Sequence, residues 1–186
     1  MGLVKYKELG KALALALWLS CAHAQDTDVP FVVTPDNVTL EMLKLANVKP
    51  GEHVIDLGSG DGRIVIVAAK RFGATGLGVE IVPELVDKSR DNARRAGVAE
   101  RVEFRVEDLF TTDLSRANVI TMYLLPDVNL QMRPRLLALK PGTRIVSHDW
   151  DMGDWKPDRV VTVEAPDKPI GREKRSRLYL WTVPAR

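Results

Sequence analysis

Cysteine is almost missing from this chain: Cys21 is the only one in 186 residues. It sits in an N-terminal leader, so the remainder has no disulfide, no thiolate nucleophile and no cysteine metal site. An excess of charge of either sign is also missing, with 27 basic against 25 acidic residues. Aromatic residues are scarce, at 6%. Spanning a bilayer takes about 20 apolar residues, and the leader's apolar run, Ala12 to Leu19, falls far short. No internal repeat or low-complexity tract appears, which excludes a repeat array and a disordered linker. What is present, 45% hydrophobic and 28% charged residues, suits one soluble domain with a real core.

Residues 1–24 read as a secretory signal peptide. Lys5, Lys7 and Lys11 form a basic lead, the apolar run follows, and Ala22-His23-Ala24 matches a small-x-small cleavage site. Cleavage after Ala24 leaves a single domain, 25–186, and implies export to the periplasm. An uncleaved leader would instead leave the chain cytoplasmic or membrane-anchored. Trp18 stands where a lipid-attachment signal wants leucine, which argues against modification of Cys21. Removing the leader takes three of the 27 basic and one of the 25 acidic residues, leaving 24 of each. That balance gives no case for a nucleic-acid partner, and no stable membrane span is expected after cleavage.

The domain is organised around His53-Val54-Ile55-Asp56-Leu57-Gly58-Ser59-Gly60-Asp61-Gly62-Arg63. A short apolar run reads as a buried strand, three alternate glycines as a loop, and Ile64 to Ala69 as the start of a helix. Strand, glycine loop and helix form the first crossover of a doubly wound sheet, with ligands at the strand's carboxyl end. About twenty residues on, Ala74 to Glu80 reads as a second strand ending in an acid, the offset at which a carboxylate accepts ribose hydroxyls. The spacing is G-x-G-x-G rather than the dinucleotide G-x-G-x-x-G, and Asp56 and Asp61 flank or interrupt it. Two carboxylates would repel a pyrophosphate and favour a ligand carrying an ammonium and a sulfonium.

The remaining segments alternate. Thr34-Pro35 predicts a helix start, threonine as cap and proline first inside, with Val38, Met42 and Leu45 at helical spacing. Pro83 opens another helix, with Leu85, Ser89 and Ala93 on its packing face and Gly97 stopping it. Further strands are predicted at 101–106, 117–125 and 143–147. The helix after Pro126 should be kinked or divided at Pro134. Arg159 to Val163 and Arg177 to Val183 read as strands joined by a polar loop. The sum is an α/β fold, a Rossmann-like doubly wound, mostly parallel seven-stranded sheet ending in an antiparallel C-terminal hairpin.

Asp56 to Arg63 together with Glu80 resembles motif I and its partner acid in class I S-adenosylmethionine-dependent methyltransferases, which also finish in such a hairpin. Thr34-Pro35, Asp108-Leu109 and Tyr123 to Pro126 extend the resemblance to the compact branch that includes ATP synthase c-subunit lysine methyltransferases. It covers roughly residues 30–156. The resemblance implies S-adenosyl-L-methionine as cofactor. Asp56, Gly58, Ser59, Gly60 and Asp61 would hold its methionine part, Glu80 the ribose and Asp108-Leu109 the adenine. Thr34 would lie near the methionine end, beside its simpler role as a cap.

The chain departs from that branch at Leu125, where a glycine is usual, and at His148-Asp149, where an arginine–phenylalanine pair is usual. Both departures fall on the acceptor side. The acceptor should enter after the fourth strand, with Tyr123, His148 and Asp149 as catalytic candidates and Trp150 and Trp155 as channel walls or packing. A metal at His148, Asp149 and Asp151 has no partner histidines to support it. With little sequence left for a lid, the site should be open, which favours a protein acceptor over a small molecule. Two other readings stay open: an inactive exported nucleoside-binding protein, and a nucleotide-dependent oxidoreductase, which the glycine spacing disfavours.

Overall fold

The computed structural model describes residues 31–185. The expected leader, and so its cleavage site, lies outside them. In chain order the elements are α1 (Asp36–Leu45), β1 (His53–Leu57), α2 (Arg63–Phe72), β2 (Thr75–Glu80), α3 (Pro83–Ala96), β3 (Val102–Val106), β4 (Val119–Met122), α4 (Pro126–Leu137), β5 (Arg144–His148), β6 (Arg159–Glu164) and β7 (Arg175–Thr182). The seven strands form one sheet in the order β3-β2-β1-β4-β5-β7-β6. The first five pair in parallel, and β7 runs antiparallel to both β5 and β6. This is the expected doubly wound sheet with its terminal hairpin.

Alternation along each strand sorts the core into two faces. Ile55, Leu57, Ile120, Met122 and Ile145 pack with Met132 and Leu136 of α4. Val54, Val119 and Val146 pack on the other face with Val38 and Met42 of α1 and Ile64 and Ala68 of α2. The same two-residue rhythm carries Asp56, Thr121, Tyr123 and His148 onto the α1–α2 face. The sheet reverses its winding between β1 and β4, so the loops after these strands open a crevice at their carboxyl ends, where a ligand sits in such folds.

Some local expectations fail for identifiable reasons. Thr34 is not a cap: Pro35 is the cap residue of α1, and no side chain bonds the helix there. Helix α4 runs unbroken through Pro134. Pro134 is exposed, and Leu130, whose carbonyl loses its bond to the missing N–H, is 43% exposed, so water can take that place. On α3, Val86 rather than Leu85 is buried with Ser89 and Ala93. The fourth strand shortens to Val119–Met122 because the chain turns at Tyr123 toward α4.

Gly62 joins the glycine loop to α2 at φ 80°, the left-handed region. A Cβ there would stand 2.7 Å from Phe104 ring atoms and from Ser89 Cβ, both buried. Gly62→Ala therefore combines backbone strain with overpacking and should cost about 2–4 kcal/mol. Urea unfolding of the variant measures this; an unchanged midpoint would contradict the packing described.

Candidate active site

The crevice holds a cavity of about 440 Å³, within the range of roughly 300–1,000 Å³ common for small-molecule sites. Of the residues expected to hold a cofactor, Thr34, Asp56, Gly58, Ser59, Asp61, Glu80, Asp108 and Leu109 line it. Gly60 takes part through its backbone, donating its N–H to Glu80 Oε2 at 3.0 Å. The other Glu80 oxygen accepts the N–H groups of Ile81 and Val82 at 2.8 and 3.1 Å. Glu80 thus clasps the glycine loop to the end of β2, which fixes its carboxylate in the cavity wall.

Asp56 is 2% exposed. Burial pushes its pKa up to about 8, while the Thr121 hydroxyl, donating to Oδ1 at 2.6 Å, limits the rise. Thr121 is its direct register partner across β1 and β4. Asp61 behaves differently. Burial pushes it upward, but the Arg63 guanidinium holds it below the usual carboxylate range. Arg63 donates from Nε to Asp61 Oδ1 at 2.9 Å and from Nη2 to Oδ2 at 2.7 Å, and reaches the Thr34 carbonyl at 2.9 Å. Asp61 therefore serves first as the anchor of Arg63. Arg63 is the only basic residue lining this cavity among the described residues, and so the natural partner for a ligand carboxylate. In the sequence it had no assigned role, standing only as the last residue of the glycine stretch.

Other positions are less direct. Ser59 Oγ is buried without a partner among the described residues and lies 2.7 Å from where a Cβ on Gly78 would stand. Its hydroxyl faces β2, so Ser59 offers the cavity mainly its backbone. Asp108 is exposed and accepts the Phe110 N–H at 2.8 Å, and Leu109 is half-buried beside it. The set fits S-adenosylmethionine: carboxylates for an ammonium and a ribose, Arg63 for a carboxylate, and apolar Ile81, Val82 and Leu109 for a base.

A second cavity, about 610 Å³, opens beyond Tyr123 and shares Val32, Tyr123, Leu124 and Leu125 with the first. The three catalytic candidates separate here. Tyr123 borders both cavities, and its hydroxyl donates to Asp149 Oδ2 at 3.2 Å. Burial, then Asp149, push the Tyr123 phenol well above its ordinary range, so it stays protonated. Asp149 borders the second cavity and is held by Lys168 at 2.7 Å and by the Arg177 N–H at 3.0 Å. Burial would raise its pKa, but these donors keep it low. His148 lines neither cavity. It is fully buried under the Tyr123 ring, with centroids 3.8 Å apart, and its nitrogens face Ser176 Oγ at 2.7 Å and Thr34 Oγ1 at 3.5 Å. Burial pushes its pKa down to about 4. His148 is a neutral wedge and cannot take a proton from an acceptor it does not meet.

The two tryptophans also divide. Trp155 packs near Trp181, whose indole N–H donates to its carbonyl at 2.8 Å, and so holds the hairpin to the sheet. Trp150 is 44% exposed and lines the second cavity.

Residues 56–159 match the ANTKMT methyltransferase domain. The chain belongs to this family. It is an S-adenosylmethionine-dependent methyltransferase. A protein-lysine N-methyltransferase of Saccharolobus islandicus (strain REY15A) is 44% identical over 138 residues, which cover 73% of this chain and 86% of that one. The Homo sapiens lysine N-methyltransferase of the ATP synthase c-subunit is 35% identical over 155 residues, 79% of this chain and 66% of its own length. A crystal structure described as an RNA methyltransferase of Salinibacter ruber with S-adenosyl-L-homocysteine is 52% identical. Its TM-score is 0.76, covering 83% of this chain and 95% of that one.

The raised pKa of Asp56 has a measurable sign. Between the ordinary value, 3.8, and about 8 the native state keeps a proton that the unfolded chain has released, so stability falls as pH rises. Asp56→Asn should gain on the wild type through that window, by at most about 1.4 kcal/mol per pH unit, with the gain levelling off above it. Thermal or urea unfolding from pH 5 to 9 checks this; parallel curves would place the ionisation elsewhere.

Proposed function

We propose that this methyltransferase acts on the ε-amino group of lysine in a protein. The observation that carries the reading is Tyr123, which stands at the shared wall of the two cavities with its proton directed to Asp149. That hydrogen bond leaves the oxygen lone pairs to accept one from an acceptor amine. When bound, S-adenosylmethionine supplies a methyl group made electrophilic by its sulfonium. The protein's part is to position the amine and keep its lone pair free. A free lysine has a pKa near 10.4, so it must shed a proton. Arg177 borders the acceptor cavity and disfavours an ammonium beside it, whereas Lys168 is neutralised by Asp149 at 2.7 Å. The proton then leaves to water through the open mouth, since none of Tyr123, His148 and Asp149 is set up as a base. Names of two relatives, both lysine methyltransferases, support the same reading. A second cavity directly beside the cofactor cavity favours transfer over mere nucleoside binding.

The test uses S-adenosylmethionine with a labelled methyl group against protein extract and RNA in separate reactions. Label should enter protein lysine, and Tyr123→Phe should lower kcat about 100-fold with the KM for S-adenosylmethionine nearly unchanged, as a misplaced acceptor requires. Glu80→Ala should lose calorimetric binding of S-adenosyl-L-homocysteine. Label in RNA alone would overturn the lysine reading, and the Salinibacter ruber neighbour makes that arm necessary.

We also propose that residues 1–24 direct export and are removed. N-terminal sequencing of the cell's own protein should begin at Gln25 in the periplasmic fraction; an intact leader in cytosolic protein would refute it.

A further inference from the structure

The second cavity differs in charge from the first. The cofactor cavity is bordered by Asp56, Asp61, Glu80, Glu107 and Asp108. The second is bordered by Lys168, Arg172, Arg175 and Arg177 against only Asp149 and Glu173. Lys168 is spent on Asp149 at 2.7 Å, and Arg175 pairs with exposed Glu164 at 2.8 Å. Arg172 has no ion pair among the described residues. The same cavity is also lined by exposed apolar side chains: Leu125 and Trp150, each 44% exposed, and Ile170, 51% exposed.

An apolar sleeve leading to a polar end suits the four-carbon stem of a lysine, which packs on apolar surface while its nitrogen seeks a polar partner. A basic rim around that sleeve repels further ammonium groups and attracts carboxylates. We propose that the second cavity is the acceptor groove and that Arg172 and Arg175, on the loop and strand following Ile170, select lysines flanked by aspartate or glutamate. This rests on the lysine reading above. Phosphate backbone is the competing anion, but the geometry disfavours it. The bases are confined to one hairpin, and the adjoining cofactor cavity is lined by Glu80, Glu107 and Asp108, so a polyanion running on from the groove would meet repulsion.

The experiment compares peptides with one central lysine in acidic or neutral flanks, with RNA as a third substrate. Two or three exposed ion pairs supply about tenfold at low salt. The wild type should therefore prefer the acidic flank by about tenfold in kcat/KM. The preference should collapse in 1 M salt, where the Debye length is about 3 Å. Arg172→Glu combined with Arg175→Gln should abolish or invert the ratio, and Arg172→Lys should preserve it. Calorimetric binding of S-adenosyl-L-homocysteine by each variant shows that it is folded. Methylation of both peptides at equal rates, or a ratio that the double variant leaves intact, overturns the proposal while the lysine reading stands. Methylation of RNA and of neither peptide overturns both.

Discussion

A carboxylate buried where two parallel strands end is the constraint on which the site depends. Asp56 lies at the carboxyl end of β1, facing Thr121 of β4 across the point where the sheet reverses its winding. Without a counter-charge it keeps its proton at neutral pH. A cationic ligand group beside it reverses that preference, so the stability lost by burying the acid is offset when the site is filled. Only a fold that sends one strand pair to each side of this point leaves room for such a ligand. Gly62 and Gly78 let the loop and β2 close against the core behind that space; a Cβ on Gly78 would stand 2.6 Å from the buried Phe104 ring.

Arg63 ties the second level together. It bonds Asp61 of the loop, the Thr34 carbonyl and, at 3.3 Å, Asp36 of α1, so the helix that covers the sheet is fixed to the loop that forms the cavity. Thr34 then meets His148, His148 supports the Tyr123 ring, and Tyr123 reaches Asp149. Asp149 itself adopts φ 64°, a conformation that aspartate tolerates better than most residues. Cofactor side and acceptor side therefore share one continuous set of contacts, all of it on the α1–α2 face of the sheet.

Most of the architecture was legible because it depends on local regularities. Short apolar runs separated by glycine and proline gave strands and helices in the right order, and the hairpin tail was visible from the absence of a helix between two strand patterns. The acids of the cofactor cavity were legible because their spacing from the glycine loop is a property of the crossover. What misled were residues whose partners are remote. Thr34 looked like a cap because proline follows it, yet Pro35 takes that place. Pro134 looked like a break, but its side of α4 faces water.

By itself the sequence determined the crossover, the acidic lining and the alternation that puts Asp56, Tyr123 and His148 at strand ends, since these follow from periods of two and from glycine's lack of a Cβ. Only the tertiary structure decided how those residues divide the work. His148 and Asp149 are neighbours in the chain, but β5 ends at His148 and the backbone turns to φ 64° at Asp149. One is sealed under Tyr123 and the other opens on the groove. Thr121, Arg63 and Lys168 became part of the site through pairings across 65, 29 and 19 residues. Such distances are closed by packing of the sheet, which no local pattern encodes.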